Sequence, residues 1–223
     1  EVGSNALASD RQRELWHRYV LGVYDVMERL ITDYPHLLLE NCSGGGARFD
    51  AGMLFYSPQI WTSDDTDAIE RLKIQHGTSI CYPASAMGAH VSDCPNHTVG
   101  RTTPFSTRGN VAMVGTFGYE LDVTRIPEAD RNEIPGQIEM FQKYNPLIRT
   151  GDQYRIGNVF EDNMWDAWMF VAKDKSEAVF TFVQVLGRPN YRSRRIKLKG
   201  LDPVKRYKDH ETGEVHSGAA LMN

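Results

Sequence analysis

The densest concentration of ionisable chemistry lies in Ser63-Asp64-Asp65-Thr66-Asp67, where three carboxylates fall within four positions. Crowded carboxylates resist simultaneous ionisation, so at least one is pushed to keep its proton, as a general acid must. The same residues suit the first turn of a helix, where Asp and Thr oxygens accept orphan backbone N–H groups. Both uses are compatible if Asp64 faces a pocket while Thr66 or Asp67 starts the helix. A second cluster is Cys42-Ser43-Gly44-Gly45-Gly46-Ala47-Arg48. Three glycines let a backbone approach a ligand closely, or serve a tight turn with positive φ. No Lys-Ser/Thr follows at the spacing of a phosphate loop. His90, Cys94 and His97, with Cys81, invite a zinc centre, but no Cys-X-X-Cys pair accompanies them, so a metal site is not expected. A Cys–His nucleophilic site has no local signature here. The sequons at Asn41 and Asn96 read as chance occurrences, and the basic run from Arg192 to Lys199 as a solvated face.

These residues need elements to hold them. Ser9 and Gln12 have capping-box spacing, and Leu15 to Tyr34 shows apolar residues at helical period until Pro35. His36 to Asn41 reads as a short buried strand ending in the glycine turn. Gln59 to Thr62 reads as another, ending in the acidic cluster, and Ala68 to His76 as a helix closed by Gly77. Ile80-Cys81-Tyr82 and Ala89 to Ser92 suggest further strands. Asp93 to Pro104 is a loop, Arg108 to Gly118 is helical in part, and Asp130 to Tyr144 is a helix. This is strand–helix alternation, in which ligands bind at the carboxyl ends of parallel strands. After about Gly151 the pattern changes. Trp165 to Val171 and Ala178 to Val185 flank a Lys173–Ser176 turn as a hairpin. Arg195 to Lys199 alternates strictly, and Val204 to Lys208 and Glu214-Val215 follow. The second part predicts an antiparallel β-sandwich.

The chain has 223 residues, with 23 Phe, Trp and Tyr to build a core (9, 4 and 10) and a formal net charge of -4. Disorder is excluded, and no general attraction to nucleic acid or anionic membrane is expected. No apolar run approaches the roughly 18–20 residues of a membrane span. Three cysteines suit a reducing compartment, so a cytoplasmic location is expected.

The segments Glu40 to Asp50, Gln59 to Arg71, Met87 to Ser92 and Gly115 to Asp122 together resemble the bacterial α-galactosidases of glycoside hydrolase family 36. The resemblance implies the C-terminal half of a (β/α)8 TIM barrel in residues 1–150, followed by an antiparallel β-sandwich in residues 151–223. It implies a retaining glycosidase that acts on α-galactoside oligosaccharides such as melibiose and raffinose, without a cofactor. Asp64 takes the acid/base role, and Asp65 is the weaker choice. Cys42, Gly45 and Trp61 are implied as sugar contacts, and Arg48 as a residue of the pocket or its surround. The family nucleophile lies in a Lys-Trp-Asp segment, which does not occur here; Trp165-Asp166 follows Met164 and lies in the sandwich region. In the family, a segment like Glu1 to Asn5 comes just after the nucleophile. The expectation is therefore a C-terminal piece that is inactive alone, from a parent that is a homo-oligomer, such as a tetramer.

Three rivals make different demands. A galactosyltransferase of the raffinose-synthase type would use the same residues with a sugar acceptor. A non-catalytic carbohydrate-binding sandwich would bind galactose through residues from 151 onward, without Asp64. A zinc protein would hold metal around Cys94 and His97.

Overall fold

The computed structural model describes residues 3–46, 49–161, 163–187, 189–190 and 193–223. Packing divides the chain into two compact units, Glu1–Trp61 and Thr62–Asn223.

The first unit holds α1 (Glu14–Asp33), β1 (Glu40–Asn41), α2 (Ala51–Tyr56) and β2 (Gln59–Trp61). The expected capping box does not form. Ser9–Arg11 is a 3-10 turn instead. Gln12 folds the preceding segment back, accepting from the Ser4 N–H at 2.9 Å and donating to the Leu7 carbonyl at 2.6 Å. β1 and β2 are parallel, with Glu40 opposite Gln59 and Asn41 opposite Ile60. The strand expected over residues 36–41 shrinks to two residues. Its next partner would be Pro58, which has no N–H to give a ladder. The Asp50 carboxylate caps α2 by accepting from the Met53 N–H at 2.8 Å, and also accepts from the Tyr24 hydroxyl at 3.1 Å.

The second unit begins with α3 (Ala68–Cys81), β3 (Met87–Ser92), α4 (Phe105–Ala112), β4 (Thr116–Glu120) and α5 (Glu128–Thr150). β3 and β4 pair in parallel from Gly88–Thr116 to Ser92–Glu120. Ile80-Cys81-Tyr82 is not a strand. Gly77 does not stop α3, which runs on until Pro83 forces extended backbone. α5 is longer than the sequence suggests and passes through Pro135 and Pro146. The carbonyls that lose their donors belong to Arg131 and Gln142, both exposed, where water can substitute.

From Asp152 the architecture is antiparallel: β5 (Asp152–Arg155), β6 (Trp165–Val171), β7 (Ala178–Gln184), β8 (Arg206–Lys208), β9 (Val215–Ser217) and the short α6 (Gly218–Met222). β5, β6 and β7 form one sheet; β8 and β9 form a separate pair. The predicted hairpin is β6–β7, turned by Lys175 at φ +59°. The alternation at residues 195–199 builds no strand. It places Leu198 beside Leu221, whose carbonyl accepts the Leu198 N–H at 2.9 Å.

β6 is buried along almost its whole length, and its two faces serve different cores. Trp168 and Phe170 pack with Ala68, Leu72, Val111, Leu147 and Ile148. Met169 and Val171 pack with Leu201, Leu198, Tyr207 and Leu221. The period-2 geometry of a strand makes this division.

Candidate active site

In the first unit, the register of β1 with β2 sets their carboxyl ends side by side, so Cys42 and Trp61 each follow a paired residue. Asn41 and Ile60 are buried, whereas Cys42 is exposed and Trp61 half-buried. Gly44, Gly45 and Gly46 all have positive φ, at 60°, 79° and 86°. A side chain at any of them would strain the turn, so the three glycines are a backbone requirement. Arg48 lies outside the described residues.

In the second unit, the acidic cluster separates its three carboxylates by role. Asp67 is the N-cap of α3 and accepts from the N–H groups of Ile69 (3.1 Å) and Glu70 (3.0 Å). It is buried and ion-paired to Arg101, which also reaches Glu70 at 3.2 Å. Asp65 shapes the loop by accepting from the Asp67 N–H at 3.0 Å, and its own N–H donates to the Ser63 hydroxyl at 3.1 Å. Asp64 is the exposed member of the three.

Three further side chains grip this loop, and sequence reasoning did not single out any of them for it. Arg71, on α3, is only 3% exposed. It donates to the carbonyl of Ser63 at 3.2 Å and to the carbonyl of Gly88 in β3 at 2.5 Å. Its Nε donates to Gln75, which in turn donates to the Val111 carbonyl at 3.1 Å. Burial lowers the Arg71 pKa to about 10, opposed by the charges of Asp65 and Glu120, so it stays a cation at neutral pH. Asn96 is buried and donates to the Thr66 hydroxyl at 3.0 Å, while its oxygen accepts from the N–H groups of Thr98 and Val99. The third is Arg101, through its pairing with Asp67.

The residues considered for zinc have other surroundings. The Cys94 sulfur accepts from the Thr103 N–H at 3.3 Å, His90 faces Glu120 at 3.3 Å, and Cys81 is exposed at the end of α3. Among the described residues no group of three or more metal-binding side chains comes together.

The loop that follows β2 in sequence carries an exposed aspartate among tightly bonded neighbours, and the turn after β1 is built of positive-φ glycines; each is a part that a sugar-cleaving site uses. The Melibiase family model matches residues 1–151, and the model described as the glycosyl hydrolase family 36 C-terminal domain matches residues 165–223. The chain belongs to the Melibiase family, within glycoside hydrolase family 36. It is 50% identical over 222 residues to alpha-galactosidase AgaA of Geobacillus stearothermophilus, covering 100% of this chain and 30% of that protein. It is 48% identical to alpha-galactosidase Mel36A of Lactobacillus acidophilus, with the same two coverages. The fold matches the crystal structure of the Lactobacillus brevis alpha-galactosidase with a TM-score of 0.96 at 45% identity, covering 100% of this chain and 30% of that one. It matches an AgaA variant in complex with raffinose with a TM-score of 0.95 at 49% identity, covering 100% and 31%. The chain thus spans about 30% of the length of the relatives it matches.

Proposed function

We propose that the full-length protein carrying this chain is a retaining α-galactosidase that releases terminal α-galactosyl residues from oligosaccharides such as melibiose and raffinose. The observation that carries this reading is the likeness, along all of this chain, to alpha-galactosidases of which one variant is solved with raffinose bound. Residues 1–150 then serve as the second half of a (β/α)8 barrel and residues 151–223 as a β-sandwich domain. The parallel pairs β1–β2 and β3–β4, followed by antiparallel strands, suit that division. Three free cysteines suit a cytoplasmic location.

In this mechanism Asp64 is the acid/base. A nucleophilic aspartate, which has no Lys-Trp-Asp counterpart in this sequence, attacks the anomeric carbon. Protonated Asp64 donates to the departing glycosidic oxygen. Water then attacks the galactosyl-enzyme while Asp64, now a carboxylate, takes its proton. Asp67 is paired with Arg101 and Asp65 shapes the turn, while Asp64 is the exposed member of the three, which supports it as the donor to a leaving group. Cys42 just after β1, Gly45 in the turn that follows and Trp61 at the end of β2 are assigned to the sugar subsite, and Arg48 to its surround.

The test is Asp64→Asn in the full-length protein. Turnover of raffinose, whose leaving group needs a proton, should fall by about 10²–10⁴-fold. Cleavage of an aryl galactoside with an acidic phenol should fall far less. Equal losses on both substrates would remove Asp64 from the acid role.

A further inference from the structure

We propose that Arg71 is a positioning residue for the reaction, fixing the Asp64 carboxyl by tying the carbonyl of Ser63 to the carbonyl of Gly88 in β3. The inference rests on the acid/base reading of Asp64. One planar guanidinium spans two carbonyls, at 3.2 Å and 2.5 Å, that belong to different elements. Ser63 is the residue directly before Asp64, so the tie restrains the backbone dihedrals on which the Asp64 side chain hangs. The other flank of the loop is held separately, by Asn96 on Thr66 and by Arg101 on Asp67.

The guanidinium is itself oriented from behind. Gln75 lies one helical turn further along α3, accepts from Arg71 Nε at 3.2 Å and donates to the Val111 carbonyl in α4. A line of hydrogen bonds therefore runs from α4 through Gln75 and Arg71 to the Ser63 carbonyl. A lysine cannot reproduce it, because an ammonium has no planar fork to bridge two fixed acceptors while a third bond sets its plane. The positive charge also balances Asp65 and Glu120, the acidic groups that act on it.

Arg71 does not touch the reacting atoms in this scheme, so its removal should displace the acid and leave sugar binding in place. The experiment uses the full-length protein with Arg71→Met, Arg71→Lys and, in parallel, Asp64→Asn. Each is assayed on raffinose and on an activated aryl galactoside, with thermal unfolding recorded. An ångström-scale displacement of a catalytic group can cost about 10²-fold. Arg71→Met should therefore lower kcat on raffinose by about 10²-fold. It should lower kcat/KM on the aryl substrate, which reports the first step alone and needs no acid there, by no more than about threefold and leave KM for raffinose within about twofold, a split that a displaced acid produces and uniform damage does not. Arg71→Lys should fall between wild type and Arg71→Met on raffinose. If the methionine variant does not fold, Gln75→Met removes the orienting partner and should show the same substrate split in milder form.

Equal losses on both substrates by the folded Arg71 or Gln75 variants, beside a clear split for Asp64→Asn, would overturn the positioning role and leave Asp64 as the acid. No split for Asp64→Asn would place the acid elsewhere and refute both.

Discussion

The carboxamide of Asn96 donates to the hydroxyl of Thr66 at 3.0 Å and so fastens the loop after β3 to the loop that carries Asp64. Both ends of the amide are used, because its oxygen accepts from Thr98 and Val99. Asn96→Ala removes three hydrogen bonds in a buried setting. At about 0.5–1.5 kcal/mol each, it should destabilise the full-length protein by about 2–4 kcal/mol, read as a lower Tm by calorimetry. On the proposed acid/base reading of Asp64, raffinose turnover should fall as well, because the loop that carries Asp64 loses its hold on one flank. A Tm unchanged from wild type would show that the contact contributes nothing.

Asp166 sits on β6 at 2% exposure, and its oxygen accepts from the Ala167 N–H at 2.9 Å. Burial pushes its pKa up from 3.8 to about 6. The folded chain therefore holds this proton in a range where the unfolded chain has released it. The stability that comes from the neutral carboxyl is fully present below about pH 4 and is lost as pH rises through 6. Asp166→Asn keeps the acceptor and removes the titration. It should stabilise at pH 7 by about 1–3 kcal/mol and give little or no gain at pH 4, measured by urea unfolding at both values. Destabilisation of equal size at the two pH values would show that the carboxyl is needed for its shape.

Gly115 and Gly77 should respond in opposite directions to alanine. A methyl at Gly115 would overlap the backbone carbonyl of Met87 and press on Ala89 in β3. That oxygen cannot move without shifting the strand, so Gly115→Ala should cost about 1–3 kcal/mol. A methyl at Gly77, inside α3, meets nothing within 4 Å. Gly77→Ala should instead stabilise by about 0.5–1 kcal/mol through helix propensity. Parallel chemical denaturation of the two variants checks both signs.

Local pattern revealed the features that depend on local geometry. The β6–β7 hairpin was legible because two β-rich runs flank a short polar turn, and α3 because its Asp-rich start and apolar spacing agree. The triple glycine announced backbone with positive φ, which all three residues adopt. Other features depend on partners distant in sequence. Leu38 and Leu39 look like strand residues, but the ladder stops where Pro58 would have to donate. Ile80 and Cys81 look like a strand only if Gly77 ends the helix, and a helix interior can tolerate one glycine. At the site, three neighbouring carboxylates left open which one would cap and which would face solvent. Arg71 was harder still to find. A single arginine in an amphipathic helix reads as a solvated charge, and only the packing of β3 and α4 around it reveals two carbonyls to bridge.

The two faces of β6 tie residues that the family models assign to separate segments. Trp168 and Phe170 lie in the C-terminal match, while Leu72, Val111 and Leu147, which share their core, lie in the Melibiase match. The segments are therefore not free to drift apart over evolutionary time. A C-terminal segment recombined from a relative would bring its own versions of Trp168 and Phe170 against helices shaped for different ones. Substitutions on the two sides should be inherited as matched sets, and chimeras that respect those sets should fold where arbitrary ones fail.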